Sequence, residues 1–131
     1  YSPYRSVNCR FMYCALKGIP WVVFRGYGRT STYLADSVRT LANIVERFRP
    51  GEVYNIGGDE YHTIEELSDL TLKVTGADPR LVEHRDAEIL TTRHKHVDIS
   101  KALNDLGHQT TVSLEEGMRR TVAWMREVYG L

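Results

Sequence analysis

Tyr13 and Lys17 stand four residues apart, so on a helix they share one face, where the ammonium could lower the phenol pKa and fit the tyrosine for acid or base work. Lys17 falls at a helix end beside Gly18, and no cofactor-binding sequence precedes the pair, so it is read as structural. Of His62, His84, His94, His96 and His108, only His94 and His96 are close in sequence. No cysteine or carboxylate pattern completes a ligand set, so they are read as polar surface histidines and no metal is expected. A Gly-x-Ser-x-Gly elbow is absent, which removes support for a hydrolase triad. Arg29, in Gly26-Tyr-Gly-Arg-Thr30, lies where an apolar run gives way to an amphipathic one. An arginine there either pairs with a neighbouring acid or meets an anionic ligand.

The elements that position these residues follow from periodicity and caps. Val7, Phe11, Cys14 and Ala15 recur at helical spacing before Gly18, predicting a helix over 3–17. Trp21-Val-Val-Phe24, bounded by Pro20 and Gly26, predicts a buried strand over 20–24. A second helix over 35–48 carries Val38, Leu41, Val45 and Phe48 as a core-facing stripe, with Asp36 as its cap or helix-start charge. Arg49-Pro50-Gly51 turns the chain into a second strand over 52–56, ended by Gly57-Gly58. Thr63-Ile-Glu-Glu66 and Ser113-Leu-Glu-Glu116 are capping boxes that open a third and a final helix. Between them lie an extended stretch over 81–84, a polar irregular stretch over 86–97, and a short helix capped by Asp98.

With 42% hydrophobic and 26% charged residues, the whole chain, 1–131, fits one domain with one core. Seventeen basic residues balance seventeen acidic ones, so no net field favours nucleic acid or a membrane surface. Cys9 and Cys14 point to different helix faces and are expected to be reduced, as in a cytoplasmic protein. The first residue is Tyr1, followed by a turn-like Ser2-Pro3, which suggests a fragment of a longer chain. The layout is α/β, about five helices with two or three short strands, too few for a doubly wound sheet. Neither Gly26-Tyr-Gly28 nor Gly57-Gly58 continues into a dinucleotide-binding loop.

Taken together, Arg29-Thr-Ser-Thr-Tyr-Leu-Ala-Asp36, Val53-Tyr-Asn-Ile-Gly57, Thr63-Ile-Glu-Glu-Leu67, Arg85, Asp98-Ile-Ser-Lys101, Leu106-Gly107 and Leu114-Glu-Glu-Gly117 cover nearly the whole chain. In order and spacing they resemble the C-terminal half of the extended short-chain dehydrogenases, the NAD-dependent nucleotide-sugar epimerases and 4,6-dehydratases. The resemblance implies the small substrate-binding lobe, packed on a Rossmann half that is not in this chain. NAD, the catalytic Tyr-x-x-x-Lys and hydride transfer at the sugar C4 would belong to that absent half, leaving no catalytic residue here. Arg29 and Arg85 would clasp the diphosphate of a nucleotide sugar, with Val22 and Phe24 beside the nucleobase and Asn8 near the sugar nucleotide. For those last three, core packing or helix capping is an equal expectation. The sequence departs from the family where His108-Gln109-Thr110 replaces Trp and Pro, and where Asp86 follows Arg85 without a Pro-Gly turn. The partners implied are the nucleotide sugar and the Rossmann half, with a second copy of the chain as a substitute contact. The rival expectation is a non-catalytic nucleotide- or protein-binding module.

Overall fold

The computed structural model describes residues 6–86 and 90–131. Helix α1, Val7–Lys17, runs to Gly18, whose left-handed φ of 66° lets the chain turn back into strand β1, Trp21–Phe24. The predicted start of α1 at 3–5 lies outside the described residues. Strand β2, Gly28–Thr30, leads into helix α2, Leu34–Arg47; strand β3, Tyr61–Thr63, leads into helix α3, Ile64–Thr75. Then come a single 3-10 turn at Pro79–Leu81, strands β4, Val82–Arg85, and β5, His94–Lys95, and helices α4, Ser100–Leu106, and α5, Leu114–Tyr129.

Two small sheets hold the strands. In one, β1 pairs in parallel with β4, setting Phe24 opposite Arg85. In the other, β2 is central, antiparallel to β3 and parallel to β5. The core forms where α1, α3 and α5 close on β1: Phe11, Met12, Trp21, Val23, Leu67, Met118 and Val122 are all buried. The indole N–H of Trp21 donates to Ser68 Oγ at 3.0 Å, so its burial leaves no polar group unpaired.

The capping signals work to different extents. Thr63 accepts from the Glu66 amide while the Glu66 carboxylate accepts from the Thr63 amide, a complete box. Ser113 accepts from the Glu116 amide, but the Glu116 carboxylate pairs with Arg120 at 2.7 Å instead of reaching back. Asp98 does not cap α4 directly; Ile99 holds that position, and Asp98 accepts from the Ser100 amide one residue on.

Three expectations are corrected. The stripe on α2 faces outward: Leu34, Val38, Leu41, Val45 and Phe48 are exposed, Val45 by 87%. The face of α2 turned inward is polar, with Asp36 and Thr40 buried and Asn43 donating to the Leu106 carbonyl of α4. Second, residues 52–56 form no strand, because no backbone group of Val53–Ile56 bonds to another backbone group among the described residues. Third, β2, β3 and β5 arise where no strand is expected. Gly28 gives the Tyr61 ring its place, since a Cβ there would lie 2.1 Å from the Tyr61 hydroxyl and the ring would have to shift.

Candidate functional site

The candidate residues fall in two places. Val22 and Phe24 lie half-buried on the face of β1 opposite Trp21 and Val23, and the Phe24 ring meets Tyr27 edge-on at 6.3 Å between centroids. Arg85 is the cross-strand partner of Phe24, and its Nε donates to Glu83 at 2.9 Å. Both members of that ion pair are more than half exposed, so the pair is weak and leaves the guanidinium free to exchange partners.

Arg29 and Asn8 meet in the second place. Arg29 is the middle residue of β2, directly opposite His62 of β3 and Lys95 of β5. Directly paired residues share a sheet face, so His62, Arg29 and Lys95 form a row of nitrogen-bearing side chains across three strands. The Arg29 Nε is buried without a hydrogen-bond partner. Asn8, from α1, donates through Nδ2 to Ser31 Oγ at 2.9 Å, and Ser31 Oγ lies 3.1 Å from His62 Nε2. Its side chain therefore braces the end of β2 and does not cap its helix. Beside it, between α1, the Ser31–Leu34 connection and α5, is a cavity of about 220 Å³ lined by Asn8, Met12, Ser31, Tyr33 and Met118.

Two histidines are not on the surface. His62 is 3% exposed and His108 is 1% exposed. Burial holds the His62 imidazole below its usual pKa, against the opposing pull of the Glu60 carbonyl and carboxylate. The sequence signal missed was alternation: His62 sits between Tyr61 and the Thr63 cap in a strand too short to recognise by period. His108 Nε2 donates to the Gly57 carbonyl at 2.7 Å, and its Nδ1 meets the Thr40 hydroxyl at 2.6 Å. It thereby ties α2, the 53–57 segment and the end of α4 together. Tyr54 adds a second tie to α4 through Asp105 at 3.0 Å.

Asp36 does not cap α2, a place held by Tyr33, but stands in its first turn as the helix-start charge, the other expectation. Its carboxylate is buried and accepts from the amides of Thr111 and Val112 at 3.0 and 3.1 Å and from the Thr111 hydroxyl at 2.6 Å. A residue expected to act locally thus holds a loop 75 positions away.

The glycine pairs do not fit a dinucleotide. Gly26-Tyr-Gly28 turns β1 into another strand, not into a helix. Gly58 is packed against its own chain, since a Cβ there would come 1.8 Å from the Ser31 carbonyl oxygen. At Gly58 the close approach that glycine permits is thus taken up by protein backbone. Among the described residues, no group of three His, Cys, Asp or Glu could hold a metal ion. No helix there is long and apolar enough to cross a membrane.

No family model matches the chain. It is 36% identical over 92 residues to dTDP-glucose 4,6-dehydratase of Streptomyces griseus, a match covering 70% of this chain and 28% of that protein. Its fold superposes on UDP-glucose 4-epimerase of Thermotoga maritima, solved with UDP-glucose, with a TM-score of 0.87 and 32% identity. That match covers 98% of this chain and 42% of the epimerase. A dTDP-glucose 4,6-dehydratase from Streptomyces venezuelae, solved with NAD bound, gives 0.85 at 29% identity, covering 99% and 42%. Five helices around short strands and these likenesses define a class, the C-terminal lobe of nucleotide-sugar epimerases and dehydratases. The chain belongs to the extended short-chain dehydrogenases, and spans less than half the length of the relatives it matches.

Proposed function

We propose that this chain is the nucleotide-sugar-binding part of an NAD-dependent epimerase or 4,6-dehydratase, acting in the cytoplasm, whose cofactor and catalytic tyrosine lie in polypeptide beyond it. The observation that carries the reading is Arg29, a cation on a central strand with its Nε buried and unpartnered, in a fold shared with an epimerase solved with UDP-glucose. A planar guanidinium offers paired N–H donors to a diphosphate. Arg85, opposite Phe24 on the other sheet, is the second cation in this reading; Val22 and Phe24 offer apolar surface to the base, and Asn8 sets the Arg29 side of the site. The chain's part is to bind and orient the substrate. Hydride transfer at the sugar C4 is the chemistry NAD would supply in the other half.

The test is a calorimetric titration of the chain with UDP, dTDP, GDP and CDP, repeated on Arg29→Ala. One diphosphate is expected to be preferred. The variant should bind it about 10- to 100-fold more weakly, the loss of a charge-assisted contact worth roughly 1.5–3 kcal/mol. Equal binding by the variant, or none by the wild type, would sink the reading.

The outward stripe of α2 supports the other half of the proposal. An apolar helix face beside a segment with free backbone groups is completed by a β-sheet that the helix covers and the segment extends. We place the cofactor-binding half there. Without it, the chain is expected to self-associate through the stripe. Leu41→Lys with Val45→Lys should return a monomer in sedimentation velocity with the melting temperature unchanged, because both side chains already face water. A wild-type chain that stays monomeric at high concentration counts against this placement.

A further inference from the structure

The row across the three-stranded sheet carries an inference at the level of single protons, and it rests on the nucleotide-sugar reading above. Asn8 donates to Ser31 Oγ, and the only other polar group at that oxygen among the described residues is His62 Nε2. The Ser31 hydroxyl hydrogen therefore goes to Nε2, since it has no other acceptor. With Nε2 accepting, the neutral imidazole carries its proton on Nδ1, which is buried and makes no bond of full hydrogen-bond geometry, the Glu60 carbonyl being the protein acceptor that bears on the ring. Across the strand pair, the Arg29 Nε–H is likewise buried without a hydrogen-bond partner. Unpaired buried donors are rare in folded proteins, and two on adjacent residues of one sheet face call for a shared acceptor. Lys95, exposed on β5 and directly opposite Arg29, extends the row toward solvent. The Glu60 carbonyl and the Glu60 and Glu66 carboxylates draw on the His62 ring while the Arg29 charge opposes them, so the row is not a uniform basic patch and an incoming anion competes with the Glu60 carbonyl. What it offers an anion is two N–H donors on directly paired residues.

We propose that His62 is a diphosphate-binding residue, donating from Nδ1 to a phosphate oxygen that Arg29 Nε also holds, with Lys95 at the outer end of the same anion. Asn8 and Ser31 are positioning residues that act through His62, fixing which ring nitrogen carries the proton. This gives Asn8 a role without contact to the ligand. It also explains why a histidine is buried in a strand whose neighbours Tyr61 and Thr63 are more exposed.

The test uses the 131-residue chain with UDP and dTDP as probes. His62→Gln keeps a polar group near Nε2 for Ser31 and removes the Nδ1 donor. It should weaken the preferred diphosphate about tenfold, the size of one hydrogen bond to a charged group, at an unchanged melting temperature. Arg80→Ala, at an exposed pair on the 3-10 turn, should bind as wild type. Imidazole nitrogen NMR should find His62 protonated on Nδ1 in the free chain and should show that nitrogen shifting as the diphosphate is added. Asn8→Ala should move the tautomer balance and weaken binding by a smaller factor. The inference is overturned if His62→Gln binds as wild type, or if the diphosphate binds and loses affinity in Arg29→Ala while the Nδ1 resonance stays put. Absence of any diphosphate binding to the wild type overturns the nucleotide-sugar reading itself, and this inference with it.

Discussion

Asp36→Ala is expected to cost about 2–4 kcal/mol of folding stability, because it strips two backbone amides and a hydroxyl of their only charged acceptor and opens a void beside α2. For a chain of this size that is a fall of about 8–16 °C in melting temperature, measurable by calorimetry. The loss should depend on pH. Burial by itself raises the Asp36 pKa, but the hydrogen bonds from Thr111 and Val112, with the Arg39 charge, outweigh it and set the folded value below 3.8. As pH falls, the unfolded chain takes up the proton first. The carboxylate's stabilisation is therefore complete above about pH 4, declines as pH falls below that, and is gone beneath the folded pKa. Glu66, Asp78, Asp98 and Glu115 are lowered as well and weaken the whole protein in the same range. The informative quantity is the difference between wild type and variant in urea unfolding. It should narrow from pH 6 toward pH 3; a difference that stays constant would show that packing, not charge, accounts for the cost.

His108→Ala should cost about 3–5 kcal/mol, comparable to truncating a buried aromatic ring, because the Gly57 carbonyl loses its donor and the Thr40 hydroxyl one of its two partners along with the packing. His108→Phe separates the two contributions: it keeps most of the volume and leaves the Gly57 carbonyl without its donor, while the Thr40 hydroxyl keeps the Asp36 carbonyl, and about half the loss should remain. Hydrogen exchange should then rise in α2 and in residues 53–57 before it rises in α1 or α5, whose core is built from other side chains. Exchange that rises uniformly would contradict the view that α2, α4 and the 53–57 segment form a unit closed by His108. The same position shows how a departure from a family pattern is accommodated. Where the resemblance leads one to expect tryptophan, this chain has a smaller ring whose two nitrogens each find a polar partner.

Much of the site was legible as position but not as contact. Arg29 is recognisable because an apolar run ends and an amphipathic one begins around it, and the family pattern runs through it. That His62 and Lys95 flank it was not legible, because both pairings join strands of two or three residues, too short for alternation to register. Asn8 carried a plausible ligand role and a plausible capping role in sequence; its hydrogen bond goes instead to Ser31, 23 residues away.

By itself the sequence determined what local physics can determine. Thr63 and Ser113 start their helices because a side-chain oxygen satisfies a free amide a turn ahead, and Gly18, Gly76 and Gly107 end theirs because the left-handed turn strains other residues. The stripe on α2 was also determined, as a stripe. What faces it was decided only by tertiary structure, since periodicity marks one side of a helix as apolar and says nothing of which side is covered. In this chain Asp36, Thr40 and Asn43 find hydrogen-bond partners inside, so the polar face is the buried one. The apolar face is left outward, and Val53–Ile56 forms no strand, because a strand needs a neighbour's backbone and this chain offers none at that edge.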